Sequence, residues 1–380
     1  MECALADLRI VDFSRVLAGP LATMVLADLG AEVVKVERAG SGDETRRWGP
    51  PYDETGMTTY FQAVNRNKTS VALDLRAAAD VARARELVAD ADVVVENFRV
   101  GVMDGLGLGY ERLRTDELRA GRRELVYCSI TGFGSAEGAA LPGYDLLVQA
   151  VGGLMSITGS PDGEPQKVGV ALVDVICGLF ASTGILAALR HRDRTGEGQR
   201  VELSLLSCLL AALVNQGSAY TLVGEVAGRM GNAHRSIAPY DLLRAGDGEL
   251  VVAVGTDEQF RALTRALGCP ELAAEEAFAG NAARVENRER LRVELELRLS
   301  RRPAAEWVAE LSRAGVPAGQ VNDIAGAFAL AERLGLEPIV AVPRADGGVA
   351  RLTRNPIGLS ATPPSYRGAP PALPEHPAAR

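Results

Sequence analysis

The sequence is short of the residues on which many active sites are built. It has three histidines, His191, His234 and His376, spread over 380 residues. A Ser-His-Asp triad or a histidine-rich metal centre is therefore not expected. The five cysteines, Cys3, Cys128, Cys177, Cys208 and Cys269, are odd in number and show no CxxC spacing. That argues against a disulfide framework or a zinc site and for free thiols in a reducing compartment. A GxGxxG fingerprint is missing from "FSRVLAGPLA", where a dinucleotide fold would carry it. The opening "MECALADLRIVDF" has no basic stretch followed by an apolar one. No signal peptide is expected, and the expected location is cytoplasmic. Basic excess is absent too. The net charge is −8, which disfavours nucleic acid as a main partner but leaves room for a local phosphate site. No internal repeat is visible.

What is present is ordinary globular composition, 47% hydrophobic and 24% charged, in a chain long enough for two or three domains. One apolar run stands out, "VGVALVDVICGLFASTGILAAL", Val168–Leu189. It could span a bilayer by length, but it contains three glycines and Asp174 and lacks clear aromatic belts, so a buried helix is expected and no membrane partner. Asp174 is its single charge. A lone carboxylate there is costly to bury unless something uses it. It can cap a helix, pair with a buried arginine, or act as a nucleophile; the run alone leaves all three open.

The first third alternates strand and helix patterns. Strands are expected at Leu8–Phe13, Ala31–Glu37, Thr69–Leu75, Ala91–Phe98 and Glu124–Ile130. Helices are expected over "PLATMVLADLG", with Pro20 at its first helical position and Gly30 as its C-terminal cap, and over Ala77–Ala89. Such alternation implies an α/β fold with a parallel sheet, whose ligands sit at the carboxyl ends of the strands. Arg38, Arg76 and the trio Asn97, Phe98 and Arg99 stand at those ends. They suit phosphate and adenine binding, or they are solvated strand ends. Residues Tyr144–Leu189 read as helical, followed by strand "RVELS" and a helix "LLSCLLAALVNQGSAY". Near Gly224 the texture changes to a hairpin around "AGDGE" and helices at Asp257–Leu267, Ala282–Leu299 and Ala304–Gly315. The expected division is a large domain from 1–215, a small domain over 224–315, and a segment 325–380 returning to the large domain. Val316–Ile324 reads as a connector and the proline-rich tail after Ala369 as loose. Cys177 and Cys208 lie in apolar runs without a cationic partner and read as inert thiols.

Five stretches together resemble one family. They are "VDFSRVLAGPLATMVLADLGAEVVKVERAGSGDETR", "NRNKTSVALDL", "DVVVENFR", "GYDLLVQAVGGLMSITG" and "GVALVDVICGLFASTGILAALRHRDRTGEGQRVELSLL". They are similar to the class III CoA-transferases, relatives of formyl-CoA and carnitine CoA-transferases and of α-methylacyl-CoA racemase. The resemblance implies a Rossmann-like large domain with a parallel sheet, a smaller α+β domain and an interlaced homodimer. It implies that Asp174 attacks an acyl-CoA thioester to give an anhydride and then an aspartyl-CoA thioester, with helix N-terminal amides stabilising developing charge. It also implies CoA contacts at Val16, Leu17, Ala18, Arg38, Leu73, Leu75, Arg76, Asn97, Phe98, Arg99, Pro142, Gly143, Tyr144 and Asp145. Coenzyme A and acyl-CoA are then substrates, with a small carboxylic acid, and neither a tightly bound cofactor nor a metal is expected.

Two departures qualify the resemblance. Val100 replaces a usual proline, and Gly105 stands where an arginine meets CoA phosphate, so Arg99 or Arg112 is expected to compensate. The glycine-run loop of the formyl-CoA branch is absent, and "GRMGNAHRSIAPY" resembles shorter members. An alternative is an acyl-CoA racemase, but Tyr144 holds the position of that branch's histidine, and a phenol is a poor base near neutrality. A second alternative is a non-catalytic CoA-binding protein. Substrate choice is expected around Leu17, Tyr144, Met155 and the small-domain loop.

Overall fold

The computed structural model describes residues 3–376. The chain divides into two units: Met1–Leu154, Lys167–Glu225 and Glu337–Arg380 form the first, and Met155–Gln166 with Val226–Leu336 the second.

The first unit is α/β. Short runs rich in valine and isoleucine make six parallel strands: β1 Arg9–Asp12, β2 Glu32–Arg38, β3 Lys68–Leu73, β4 Val93–Glu96, β5 Val126–Thr131 and β6 Arg200–Ser204. Their order is β3-β2-β1-β4-β5-β6. The sequence direction reverses between β1 and β4, and in open sheets the crevice beyond the carboxyl ends at that point takes the ligand. One face buries Ile10, Val33, Val93 and Val95 under the helices Ala18–Asp28 and Leu172–Thr195. The other buries Val11, Val34 and Val94 under the helix Ala78–Ala89. The Leu172–Thr195 helix is apolar and long enough to cross a membrane by length and composition. Its Val173, Cys177, Ala181, Ile185 and Ala188 are spent on the core, which accounts for that apolarity. A Cβ on Gly178 would lie 2.7 Å from the Ala18 carbonyl oxygen, so the two helices meet here without room for a side chain.

Several charged side chains are buried in this unit with their partners. Lys68 is fully buried and spends its three protons on Asp12 (3.0 Å), the Pro20 carbonyl (2.8 Å) and Asn65 (3.0 Å). Burial brings its ammonium down to about 8. Burial opposes ionisation of Asp12 as well, yet Lys68 and Lys35 hold its carboxyl below the ordinary value. Asp28 accepts two bonds from Arg66 (2.9 and 2.6 Å), one from Asn67 (2.8 Å) and one from Asn355 (3.0 Å). Arg66 also reaches the Thr353 carbonyl, at the end of the hairpin β10 Ile339–Pro343 and β11 Val349–Thr353. Asp28 thus ties the C-terminal segment to the sheet.

The second unit carries an antiparallel sheet of β7 Tyr240–Arg244, β8 Glu249–Ala253 and β9 Ala318–Gln320, in that order. Phe260, Leu263, Leu295, Trp307 and Leu311 form its core with the helices Asp257–Ala266, Arg288–Leu299 and Ala304–Arg313. The first of these starts with a capping box between Thr256 and Gln259.

Several expectations need correction. Residues 144–189 are not continuously helical: a helix Asp145–Val151 ends before Gly152 and Gly153, the latter at φ 87°, and the long helix begins only at Leu172. The helix expected through Tyr220 breaks at Leu213 into two pieces bent by 85°. Residues 316–324 are no simple connector, because β9 pairs with β8 there, and the second unit runs on to Leu336. It also includes Met155–Gln166, where the Gly231 amide bonds the Gly159 carbonyl. The tail is anchored where described: the Ala369 amide bonds the Pro343 carbonyl, and Arg46 bonds the Pro371 carbonyl.

Replacing Asp28 by alanine would leave Arg66 buried without its counter-charge. We expect unfolding free energy to fall by about 3–5 kcal/mol in chemical denaturation.

Candidate active site

The loop leaving β1 sits at the switch point and is held from three sides. Asn97, just past β4, accepts from the Arg15 amide and donates to the Arg15 carbonyl, both at 2.8 Å. Asp43 accepts the Val16 amide at 3.2 Å. Lys35 donates to the Ser14 carbonyl at 2.8 Å and pairs with Asp43 at 3.0 Å, all inside the protein. These bonds keep Val16 at φ 68°, a costly conformation for a β-branched residue.

Two cavities open beside this loop. The larger, about 320 Å³, is lined by Arg38, Leu73, Leu75, Arg76 and Phe98, with Val102 and Leu106 from the next turn. Its apolar walls and arginine rim suit an adenine ring beside phosphate. The smaller, about 160 Å³, is lined by Val16, Leu17, Ala18, Asn97, Gly132, Gly143, Tyr144 and Asp174. Two chain segments nearly touch in its wall: a Cβ on Gly132 would come 2.6 Å from the Gly143 Cα. The expected contacts thus divide between two adjoining spaces. Arg99, Pro142 and Asp145 line neither. Arg99 and Arg112 are both exposed and line neither cavity, so the arginines on the larger cavity are Arg15, Arg38 and Arg76.

Asp174 occupies the first turn of the Leu172–Thr195 helix and makes no ion pair among the described residues, so it is not the partner of a buried arginine. Nor does it cap the helix. Asp145 does that: one carboxylate oxygen accepts the Val173 amide at 2.7 Å and the Asp174 amide at 3.3 Å, and the other accepts from Gln149 at 2.5 Å. With Asp145 accepting them, the Val173 and Asp174 amides are already engaged within the protein. The Ala18–Asp28 helix differs: its N-cap residue, Leu17, supplies no capping side chain, and Leu17 and Ala18 line the Asp174 cavity. Its first two amides, on Ala18 and Gly19, precede Pro20, which has none, and a helix start of this kind favours negative charge.

Burial, followed by the nearby Asp145 charge, raises the Asp174 carboxyl to about 7. Tyr60 lies in the same field. Burial and then Asp174, Asp145 and Asp43 push its phenol up to about 12, so it remains a proton donor. Trp48 packs edge-on against it with ring centroids 5.4 Å apart. The Cys177 thiol, one turn beyond Asp174, is raised by its hydrogen bond with Cys208 and then by burial, which keeps it protonated and unreactive. Sequence reading missed Tyr60, Trp48, Arg15 and Glu44. They lie in "DETRRWGPPYDETGMTTY" and at the loop start, where no periodic pattern or spacing singles them out.

A doubly wound sheet with a cavity at its switch point and a carboxylate of raised pKa in the space beside it is the arrangement of a ligand-binding α/β enzyme. The chain belongs to CoA-transferase family III, whose model matches residues 5–377, and it is a CoA-transferase. It is 40% identical to succinate–glutarate CoA-transferase of Agrobacterium fabrum, over 98% of this chain and 93% of the relative. It is 42% identical to succinyl-CoA:glutarate CoA-transferase of Mus musculus, over 87% and 74%. Among solved structures, a CAIB/BAIF family protein from Brucella suis superposes with a TM-score of 0.86 at 43% identity, covering 100% of this chain and 98% of that one.

Asp145→Asn would remove the charge beside Asp174 and keep an oxygen for the helix amides. We expect the Asp174 carboxyl to titrate below 7 and the acid limb of the pH–activity profile to move to lower pH. A kcat profile measured between pH 5 and 8 checks this.

Proposed function

We propose that the protein moves CoA between the thioester of one short dicarboxylic acid and a second free acid, with Asp174 as the covalent carrier. One observation carries the reading: Asp174 lines a small cavity that adjoins the strand-edge cavity, and Arg15 borders both. The names of the relatives, built on succinate, glutarate and mesaconate, support a dicarboxylate. The adenosine end of CoA lies among Arg38, Leu73, Leu75, Arg76 and Phe98, and the thioester near Val16, Leu17, Ala18, Gly143 and Tyr144.

The ionised Asp174 carboxylate attacks the thioester carbonyl carbon. The C–S bond breaks, leaving an acyl-aspartyl anhydride and CoA thiolate. The thiolate attacks the aspartyl carbonyl, forms aspartyl-CoA thioester and releases the first acid. The incoming acid's carboxylate attacks that thioester, giving a new anhydride and CoA thiolate. The thiolate then takes the new acyl group and frees Asp174. Tightly packed walls such as the Gly132–Gly143 contact limit water at the anhydride stage. Amides at the start of the Ala18–Asp28 helix bear the oxyanion.

The working form is a homodimer, interlaced in the family's manner. Leu179, Phe180, Leu186, Leu210 and Val214 are exposed on the first unit, an apolar set that association would cover. Sedimentation at micromolar concentration should show a dimer; a monomer would contradict this.

Because the attacking form is the anion and its carboxyl sits at about 7, the exchange rate should climb as pH rises from 6 to 8. Asp174→Asn should fold and associate normally, yet lose acyl exchange by on the order of a thousandfold or more. Exchange at parental rate in the asparagine variant would overturn the assignment.

A further inference from the structure

Arg15 is shared by the two cavities, and Glu44 lines the one containing Asp174. The Arg15 Nη1 donates to Glu44 Oε1 at 2.6 Å, and the guanidinium carbon lies 4.9 Å from the centre of the Phe98 ring. Both side chains are about a third exposed, 35% and 37%, so the pair holds the fold together only weakly. It also leaves two atoms shut from solvent without a hydrogen-bond partner among the described residues: Arg15 Nε, a donor, and Glu44 Oε2, an acceptor. The backbones beneath them are fixed. Asn97 brackets Arg15, and Glu44 begins the short helix Glu44–Arg47, which Asp43 caps through the Thr45 amide. An exchangeable pair therefore stands on rigid supports where one cavity passes into the other.

A ligand reaching from the strand edge to Asp174 must pass this pair. The chemistry of the two unmet atoms restricts what can pass well. A phosphate or carboxylate would satisfy Arg15 and be repelled by Glu44. A hydrocarbon would satisfy neither. A secondary amide brings a carbonyl for the arginine and an N–H for the glutamate. The pantetheine arm of CoA carries two such amides. We propose that Arg15 and Glu44 exchange their mutual contact for a clamp on a pantetheine amide, Arg15 donating to its carbonyl and Glu44 accepting its N–H. The clamp sets the reach of the thioester toward Asp174, and it rests on the CoA placement given above.

The test uses the full-length protein and two ligands, CoA and 3′-phosphoadenosine 5′-diphosphate, which is CoA without its pantetheine arm. The variants are Arg15→Met, which keeps an apolar stem over Phe98, and Glu44→Met, each with its thermal midpoint compared with the parent's. Calorimetry should show CoA binding weakened roughly tenfold or more in each variant, while the nucleotide fragment stays within about twofold. Unchanged CoA binding in both variants would overturn the clamp. Equal loss for CoA and for the fragment would also overturn it, by making Arg15 a phosphate contact. If the parent itself does not bind the fragment, the CoA placement fails instead of the clamp alone.

Discussion

The structure depends on charges that water does not reach. Lys35 and Asp43 face each other at 3.0 Å with neither side chain exposed, and Lys35 also holds the Ser14 carbonyl. Isolated burial of either would be prohibitive, so each requires the other. Their pairing pins the loop after β1 to the end of β2. Asp43 adds the Val16 amide and the Thr45 amide, which places the loop and the Glu44–Arg47 turn in fixed relation. The left-handed Val16, the bracketed Arg15 and the uncapped start of the Ala18–Asp28 helix follow from that anchoring. Both cavities take their shape from this one loop.

Asp174 sits under an opposing pair of influences. Its place in the first turn of a long helix favours the anion. Its burial and the Asp145 carboxylate favour the acid. Asp145 does both jobs at once: it terminates the helix by accepting two amides, and it makes Asp174 easier to protonate. A carboxyl brought near neutrality is a better nucleophile than an ordinary one when ionised, and it is still ionised in a useful fraction near pH 7. The site thus trades some anion for basicity.

Much of this was legible in the chain. Largely apolar runs bounded by turns marked the inner strands β1, β2, β4 and β5, because a strand buried on both faces is mostly apolar, while the half-exposed edge strands β3 and β6 carry a weaker pattern. Asp174 was conspicuous because nothing else in its run is charged. The strand-end residues Arg38, Arg76 and Phe98 followed from the topology. Other parts depended on contacts between distant positions, which no local pattern records. "NRNK" carries the family resemblance, yet its Arg66 and Lys68 serve Asp28 and Asp12 in the interior. Asp145 stood among the CoA contacts by resemblance but is a capping residue 28 positions from the amide it holds. The strand β9 was hidden because three residues of small and polar side chains have no strand signature until β8 lies beside them.

The proposed mechanism requires Asp174 to become covalently attached during turnover. Incubating the protein with an acyl-CoA and hydroxylamine, followed by peptide mass spectrometry, measures this directly. A single hydroxamate on Asp174 is expected. Modification of another residue, or continued transfer with Asp174 unmodified, would contradict it.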